Sequence, residues 1–583
     1  MHGVLIMEKF TMASALFLAG ACFGSTYYIS PNGNDNAAGS KDAPFATLKK
    51  ANAVVTAGDT VWIRGGTYYL RDTTYAKNDG MSAGVLLNKN GASDSKRIYY
   101  WAYPGEKPVF DGSNLLIGQA YGHTGSVDST MYTSGILIQA QYLHIKGIEV
   151  CNVPMKYNSN VGVYISRSKH IFLEQVNSHH NKGAGFFVNE KGTGSAGGHY
   201  FLNCDSHDNY DPNGRQGDGE NADGFGVHYQ TSGDTTKFYG CRAWWNSDDG
   251  WDFISQEFPV VVENSYAMGN GWANYGTVHP KNANGNGFKA GSSKTGNGRH
   301  TIKQCVAWKN YSSGFYANHS SVGNYWYNNT SYKNGSQFNM WASTWDADDN
   351  RTDGVVLADG KEHVMRNNIG FPEKNAYIGG NYAAGDHNTW NLGITPAESD
   401  FVSVDDVSMN TTGKDLSALA GMLGPRNADG SLPNLNFLKL KQGSQMIDKG
   451  VNVGLPYVGG APDLGAYEYG AVSSSSATPA SSAAVSLSSA ADQRLSSSAI
   501  PASSAAILSS SSVNPRSSSA VEPWSSATTA LWQGGFTGGA ATAVKVFDMQ
   551  GRFLGTSIPR KPGIYMVREN DVHAKLQRVI VDN

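Results

Sequence analysis

A short motif recurs between residues 176 and 340, where an apolar stretch leads to Asn and then to Gly followed by an aromatic residue. The asparagines are Asn181, Asn209, Asn246, Asn270, Asn310 and Asn334. The aromatic residues that directly follow a glycine are Phe186, Phe225, Trp251, Phe288 and Phe315. Self-similarity of this kind is typical of solenoids, in which one structural unit is copied along an axis. We therefore expect an all-β solenoid of stacked coils.

Side-chain alternation along a strand divides the motif between two faces. The aromatic column is apolar enough to form the core. One position further on, the side chains point the opposite way, and this column reads Phe187, Gly226, Asp252, Lys289 and Tyr316. Because parallel strands stack about 4.8 Å apart, Asp252 and Lys289 should be neighbours, as should Asp223 and Asp249, which each precede a glycine. The pattern predicts a polar cluster on an outer face that is open to water.

Two coils carry longer loops than the others. The motif asparagine precedes the glycine by four residues in three coils, but by 15 from Asn209 to Gly224 and by 17 from Asn270 to Gly287. These two loops bracket the coil that contains Asp252. Insertions in solenoids tend to lie on one face and to carry binding or catalysis. We expect the loops to form walls around the polar cluster.

Composition supports an all-β protein and argues against some functions. The 583 residues include 69 glycines and only 16% charged residues, which suits a chain rich in turns. The net charge of -3 argues against nucleic acid, which needs a broad basic surface. No stretch after the N-terminus is apolar enough to span a bilayer.

The two ends of the chain differ in character from its middle. Residues 1–24 have a lysine followed by an apolar run that ends in small residues, which is typical of a secretory signal. Residues 25–470 are expected to hold the solenoid. Residues 471–527 contain 23 serines and should form an unfolded linker. Residues 528–583 regain strand-like alternation and predict a small β module.

This organisation predicts a monomer that is secreted or held at the cell surface. The segment from Val546 to Tyr565 resembles the C-terminal sorting modules of surface hydrolases in some Gram-negative bacteria. That resemblance implies secretion or surface-attachment machinery as a partner of the C-terminal module.

Cysteine spacing favours packing over disulfides. Cys204, Cys241 and Cys305 each lie five residues before a motif asparagine, so that they occupy one slot of the repeat. We expect small buried core residues there. A disulfide between Cys204 and Cys241 of neighbouring coils is the alternative.

Four aspartates fall close together in the segments NADGF and NSDDGWD, and they are Asp223, Asp248, Asp249 and Asp252. Like charges about 4 Å apart repel by roughly 1 kcal/mol in water and about 4 kcal/mol at an effective dielectric constant near 20. Lys289 can neutralise only one of them. Oxygen-only ligands on flexible turns favour Ca²⁺ over Mg²⁺ or Zn²⁺. The alternative is that these residues serve turns, with Asp252 and Lys289 as a surface ion pair.

The segments NADGF, NSDDGWD and NGFKAG, in this order, resemble the family 9 polysaccharide lyases, whose best-known members are pectate lyases. The resemblance covers about residues 26–470 and implies a right-handed parallel β-helix. It also implies that Lys289 is the Brønsted base of a β-elimination that cleaves acidic plant cell-wall polysaccharide. By the same resemblance the calcium ligands are Asp223, Asp248, Asp249 and Asp252.

Other functions remain open at this stage. The family also contains rhamnogalacturonan lyases. The same aspartates could serve an inverting glycoside hydrolase of the polygalacturonase kind, or a non-catalytic calcium-stabilised solenoid that binds carbohydrate. Further polar and aromatic residues in or near the long loops could contact a sugar chain, although solvated loop positions suit them better: His228, Trp272, Tyr275, His279, Lys281 and Arg299.

Overall fold

The structure is a computed structural model of the chain. It describes residues 24–71, 74–76, 81–115, 133–155, 159–190, 196–212, 214, 217–291, 298–346, 350–379, 383–405 and 421–471, together with four strands beyond residue 543. Contacts divide the chain into two compact units, residues 1–486 and 487–583. The expected signal segment and linker lie outside the described residues, apart from their boundary positions.

Three long parallel sheets form the first unit, and each coil contributes one strand to each sheet in turn. The first sheet contains twelve strands: Thr26–Ile29, Thr60–Ile63, Ile98–Ala102, Leu143–Lys146, Phe172–Glu174, Tyr200–Leu202, Thr236–Tyr239, Val260–Glu263, Thr301–Lys303, Tyr325–Tyr327, His363–Arg366 and Ala383–Asp386. The second sheet contains ten: Gly66–Tyr69, Pro108–Asp111, Glu149–Cys151, Asn177–His179, Asp205–His207, Arg242–Trp244, Tyr266–Met268, Val306–Trp308, Thr330–Tyr332 and Ile369–Phe371. This arrangement is a parallel β-helix.

The third sheet carries the motif aromatics. Its ten strands are Thr74–Ala76, Met81–Leu87, Thr133–Ile138, Val161–Ile165, Phe186–Asn189, Phe225–His228, Trp251–Asp252, Phe288–Lys289, Ser313–Tyr316 and Ser336–Asn339. Only Thr74–Ala76 pairs antiparallel among these described strands. Trp251 lies opposite Phe288, and Asp252 lies opposite Lys289. The register predicted from the repeat is therefore present.

Two internal stacks run along the axis of the β-helix. The motif aromatics stack face to face in the core, with ring centroids 4.6 Å apart for Trp251 and Phe288. The motif asparagines form a ladder in which each side-chain amide donates to the next amide oxygen at 2.8–3.0 Å, from Asn181 through Asn209, Asn246, Asn270 and Asn310 to Asn334. The ladder satisfies buried turn groups that the solvent cannot reach.

Steric contact between neighbouring coils explains why the motif requires glycine. A Cβ on Gly250 would lie 2.6 Å from the carbonyl oxygen of Gly287 in the next coil, and a Cβ on Gly224 would lie equally close to the oxygen of Gly250. Coils could not stack at strand spacing if a larger residue stood there. The repeated glycine is thus required by the close approach of neighbouring backbones.

Different structures cover the two ends of the β-helix. Near the start, helix Leu48–Val54 is N-capped by Thr47 and buries Leu48 and Ala51 against the core. Beyond Ala383–Asp386 the regular coils stop, which is earlier than the predicted limit near residue 470. The described residues from 387 onward contain two short 3₁₀ turns, Glu398–Asp400 and Gly421–Leu423, but no named strand up to residue 471.

This irregular segment packs on the outside of the second sheet instead of adding coils. Leu423, Phe437 and Leu440 join an apolar cluster with Trp244 and Trp308. The segment lacks the repeat period, so it cannot supply stacked strands, but its apolar residues still require a partner surface. The outward-facing hydrophobic side chains of the second sheet supply that surface and are buried by it.

Three smaller sheets complete the fold. Ala196–Gly197 pairs with Gly233–Asp234, and Ser343–Trp345 pairs with Arg351–Asp353. In the second unit the strands Val544–Phe547, Phe553–Gly555, Gly563–Glu569 and Gln577–Val581 form an antiparallel sheet. Within the part of the chain that the structure describes, no helix has the length and apolar character to cross a membrane.

The cysteines behave as core residues. Cys151, Cys204, Cys241 and Cys305 are free and buried. The shared slot continues as Ser265 and Asn329, whose side-chain oxygens accept from the backbone N–H of Cys241 and Cys305 respectively. The slot therefore takes small residues or a hydrogen-bond acceptor, and the packing interpretation of the three predicted cysteines is confirmed.

Candidate active site

An acidic cluster lies where three coils enter the third sheet. Asp223 and Asp249 directly precede their motif glycines, and Asp248 precedes Asp249. Carboxylate oxygens of these three residues all lie within 4.8 Å of one another. Asp252 lies on strand Trp251–Asp252 and points to the same outer side. The structure thus brings together all four predicted aspartates.

Backbone hydrogen bonds hold the aspartates in a second ladder. The N–H of Asp249 donates to Asp223 Oδ1 at 3.2 Å. Asn286 donates to Asp249 Oδ1 from both its backbone N–H and its amide, at 2.6 and 2.8 Å. Ser313 N–H in turn donates to Asn286 Oδ1 at 3.1 Å. The position before the motif glycine therefore links coils through side-chain oxygens.

Lys289 is the cation of the cluster. Its Nζ lies 2.8 Å from Asp249 Oδ2 and 3.1 Å from Asp252 Oδ2. The pairing follows from register, because Lys289 lies one coil after Asp252 on the same face. One ammonium group thus faces four carboxylates.

The cluster is far less open to water than the sequence suggested. The side chains point outward as predicted, but Asp249 is 0% and Lys289 8% exposed. The loop before Gly287 lies over them, with Asn284 N–H donating to Asp248 Oδ1 at 2.9 Å. Outward direction is set by strand alternation, whereas exposure is set by where the long loops lie.

The two long loops also contact each other. Asn282 N–H donates to the carbonyl oxygen of Asp218 at 3.0 Å, and Asp218 N–H donates to Asn282 Oδ1 at 3.3 Å. Ser247, beside the acidic pair, donates its hydroxyl to the carbonyl of Gly219. The predicted walls are therefore present and are joined above the coil of Asp248.

Burial and mutual repulsion disturb the protonation of the cluster. Burial, followed by the charges of neighbouring aspartates, raises the pKa of Asp223 and of Asp248 well above its ordinary range. Burial also raises the pKa of Asp249, although Lys289 opposes the change. Burial acts to lower the pKa of Lys289, but the four carboxylates, with Asp249 foremost, outweigh it and raise that pKa well above its usual value.

The excess of negative charge in the cluster fits a divalent cation. Oxygen donors from four carboxylates, with no thiolate, form a hard ligand set of the kind that binds Ca²⁺. A bound cation would remove the repulsion that raises the aspartate pKa values. The residues that would hold it are Asp223, Asp248, Asp249 and Asp252.

His228 lies beside the acidic cluster and on a strand, whereas the sequence favours a solvated loop position for it. It ends strand Phe225–His228, is buried, and has its Nε2 3.9 Å from Asp252 Oδ2. Burial lowers its pKa to about 4, so the imidazole is neutral at physiological pH. The signal was available, because His228 lies two residues after Gly226 in the outward column.

The other loop residues have varied surroundings. Arg299 donates to the carbonyls of Gly323 and Glu362 and therefore has a structural role. Trp272, His279 and Tyr311 form an aromatic group, in which His279 and Tyr311 stack at 3.4 Å. Lys281 is exposed, as expected for a solvated loop.

Comparison with known proteins agrees with this geometry. Residues 27–368 match the family described as "Pel9A-like, right handed beta helix region". The chain is 33% identical over 446 residues to pectate lyase L of Dickeya dadantii (strain 3937), which covers 76% of this chain and 90% of the relative.

Two solved structures have the same architecture. The crystal structure of pectate lyase Pel9A superposes with a TM-score of 0.58 and 31% identity, covering 77% of this chain and 97% of that one. A rhamnogalacturonan lyase superposes with a TM-score of 0.60 and 26% identity, covering 72% and 97% respectively. The fold, the matched region and these relatives together show that the chain belongs to the Pel9A-like right-handed β-helix family of polysaccharide lyases.

Proposed function

We propose that this lyase is calcium-dependent and cleaves polyuronate of the pectate type by β-elimination, with Lys289 as the Brønsted base. The observation that carries the proposal is the contact of Lys289 Nζ with two carboxylates of a buried acidic cluster, at 2.8 and 3.1 Å. An amine and a hard-cation site adjoin each other on the face that the long loops surround. The names of the relatives support a pectate-type substrate.

Asp223, Asp248, Asp249 and Asp252 would hold the calcium ion. When bound, Ca²⁺ supplies positive charge that neutralises the cluster and makes the proton beside the substrate carboxylate more acidic. Asn284 and Asn286 keep two of these carboxylates oriented through backbone N–H donors. The chain thus presents a preorganised set of oxygen ligands.

Lys289 must be neutral to accept a proton. Among uncompensated carboxylates its pKa is raised, so the amine stays protonated and cannot act as a base. Neutralising the carboxylates lowers that pKa and frees the amine lone pair. Metal and base are therefore coupled.

The elimination itself needs no water as reactant. Lys289 Nζ takes the proton from the ring carbon next to the uronate carboxylate. The electron pair left on that carbon forms the double bond, and the neighbouring glycosidic C–O bond breaks. The leaving oxygen is protonated from solvent, and the new chain end is an unsaturated uronate.

The central experiment measures ultraviolet absorbance of the unsaturated product from polygalacturonate. We expect activity with Ca²⁺, loss in EDTA and recovery when Ca²⁺ is restored. Lys289→Ala should lower kcat by about 10²- to 10⁴-fold, the usual contribution of a general base. Lys281→Ala, which removes an exposed lysine from the long loop before Gly287, is the matched control and should leave kcat unchanged.

Other outcomes would select other functions. Reducing sugar released without ultraviolet product, and unaffected by EDTA, would indicate an inverting hydrolase. Binding without any turnover would indicate a carbohydrate-binding solenoid.

A second substrate has specific support. The alignment with the rhamnogalacturonan lyase covers 97% of that protein and 72% of this chain. Parallel assays on rhamnogalacturonan and polygalacturonate therefore distinguish the two substrates, since the preferred one should show the higher kcat/KM.

We also infer that residues 1–24 direct export and that residues 528–583 act in sorting or attachment. Fractionating cells that produce the full chain, or the chain without residues 528–583, tests both assignments. We expect activity outside the cytoplasm for each form, but surface-bound activity only for the full chain.

A further inference from the structure

Three histidines gather on the outer face of the second sheet, away from the third-sheet aspartates. His179 and His207 lie opposite each other in neighbouring strands. Their rings stack in parallel, with centroids 4.7 Å apart and an interplanar angle of 7°. His180 follows His179 in the chain and sets its ring edge-on to both.

The ring nitrogens converge on one small volume. His179 Nδ1 lies 2.7 Å from His180 Nδ1. One nitrogen from each of the three histidines lies within 4.8 Å of the other two. Nitrogens that share a tetrahedral metal ion at about 2.0–2.1 Å lie roughly 3.4 Å apart. The parallel rings of His179 and His207 direct their nitrogens side by side, so the three nitrogens would meet one ion only after ring rotation.

The remote nitrogens are already held by other groups. His179 Nε2 lies 2.9 Å from Glu149 Oε1, and His180 Nε2 lies 2.9 Å from the hydroxyl of Tyr275. Metal-binding histidines usually donate their second ring N–H to a carboxylate or another oxygen, which fixes the tautomer and turns the first nitrogen toward the metal. The partners of His179 and His180 place their Nδ1 atoms in that role.

Asp208 lies beside the group and contacts one of its members. Its Oδ2 lies 2.8 Å from His207 Nδ1. Its Oδ1 is buried and has no hydrogen-bond partner among the described residues. A buried carboxylate oxygen without a partner is costly unless it meets a cation or a donor.

We propose that His179, His180 and His207 bind a divalent first-row transition-metal ion, with Zn²⁺ as the best fit, and that Asp208 orients His207. Three imidazoles with a fourth position left for water match Zn²⁺ in ligand type and number. Ca²⁺ prefers the oxygen-only cluster on the third sheet. His179 and His207 line a surface groove of about 900 Å³ with Glu149, whereas His180 and Asp208 are not among its lining residues.

Such an ion would brace a loop of the lyase site. Tyr275, which contacts His180, belongs to the same long loop as Asn284 and Asn286. Those asparagines donate to Asp248 and Asp249. Zinc binding should therefore raise the melting temperature of the protein, independently of whether the proposed lyase mechanism is correct.

The test is a zinc titration of the metal-stripped full chain in excess Ca²⁺, followed by isothermal calorimetry. We expect one zinc per chain. Co²⁺ in place of Zn²⁺ should give the visible d–d absorption of a tetrahedral site. His180→Asn should weaken zinc binding by at least about tenfold, the scale on which metal sites respond to a lost partner.

A matched control separates this site from general histidine binding. His180 and His170 both have a left-handed backbone, with φ of 55° and 52°, and Asn tolerates that conformation. His170 contacts Asp94 and Asp234 and lies outside the cluster. His170→Asn should retain wild-type zinc affinity.

Three results would overturn the proposal. The wild type could fail to bind zinc stoichiometrically, or His180→Asn could bind zinc as tightly as the wild type. The third result is an equal loss of zinc affinity in His180→Asn and His170→Asn. Should His180→Asn fail to fold, Tyr275→Phe and the wild-type Co²⁺ spectrum decide. Tyr275→Phe removes only the hydroxyl that orients His180 and should also weaken binding. Unchanged affinity together with an octahedral spectrum would mean that the histidines form only a hydrogen-bonded stack.

Discussion

Asp248 is a residue at which the proposed calcium binding and the stability of the metal-free protein make opposite demands. It is buried, burial and the neighbouring aspartates raise its pKa well above the ordinary range, and its Oδ1 accepts from the N–H of Asn284. In the metal-free protein its negative charge adds to the repulsion within the cluster. With calcium bound, the same charge would become a ligand.

We therefore predict opposite effects of Asp248→Asn with and without calcium. In EDTA at pH 7 the variant should unfold at a higher temperature than the wild type, by the equivalent of about 1 kcal/mol or more, because a repulsive charge is removed. With Ca²⁺ the order should reverse, and more calcium should be needed for half-maximal activity. Calorimetric melts and calcium titrations of activity measure both effects.

The pH dependence of this difference follows from the sign of the pKa shift. A carboxyl whose pKa is raised by folding costs nothing at low pH, and destabilises the protein as the pH rises above the unfolded value of about 3.9. In EDTA the advantage of Asp248→Asn should vanish near pH 4 and grow toward pH 7. A constant advantage across that range would contradict the assignment of raised pKa values to the cluster.

At the scale of elements, the asparagine ladder joins successive coils. Asn246 accepts from Asn209 at 2.8 Å and donates to Asn270 at 3.0 Å, and it is fully buried. A truncated side chain would remove three buried hydrogen bonds, to Asn209, Asn270 and the carbonyl of Ser206. The amide of Asn209 would keep Ser206 Oγ, and the oxygen of Asn270 would keep the backbone N–H of residue 246.

Asn246→Ala should therefore lower the free energy of unfolding by about 1–4 kcal/mol, as three buried hydrogen bonds are lost at about 0.5–1.5 kcal/mol each. Urea unfolding followed by circular dichroism measures the change. Asn436→Ala, at an exposed asparagine, should stay within about 0.5 kcal/mol of the wild type. A loss no larger than that of the control would mean that water or a neighbouring group replaces the missing amide.

At the scale of the whole first unit, a buried ion network fastens the irregular segment to the second sheet. Asp205 accepts from Arg242 at 2.7 Å and from Arg426 at 2.6 Å. Arg242 also donates to the carbonyls of Met422 and Gly424. One carboxylate thus compensates two buried guanidinium groups across this contact.

Asp205→Ala should cost about 3–5 kcal/mol, because it leaves both guanidinium groups without their counter-ion. Burial opposes ionisation of Asp205, but Arg242 and Arg426 prevail and hold its pKa below the ordinary value. The difference in free energy of unfolding between the wild type and Asp205→Ala should thus be largest at neutral pH. It should shrink as the pH falls below about 3.9. The exposed pair of Glu398 and Lys333 offers a control, since Glu398→Ala should cost less than about 1 kcal/mol.

Catalysis should belong to the first unit. A chain that ends after residue 471 keeps the β-helix, the acidic cluster and the irregular segment. We predict that its kcat/KM on polygalacturonate stays within about twofold of the full chain. A larger loss would show that the C-terminal module contributes to catalysis or to substrate binding.

Regular features of the molecule were accessible from the sequence. The strand period of two and the repeat spacing predicted that Asp252 faces Lys289 and that Asp223 neighbours Asp249. These features depend on local geometry that is copied from coil to coil, so the pattern of residues carries them directly.

Other features depended on contacts between parts of the chain that share no period. The sequence alone determined the stacked all-β coils, their register and the membership of the acidic cluster, because stacked coils repeat one local rule. Only the tertiary structure decided that long loops bury Lys289, that His228 approaches Asp252, and that Tyr275 meets His180. The physical reason is that loop paths and the packing of residues 421–471 are set by distant surfaces, which no local spacing encodes.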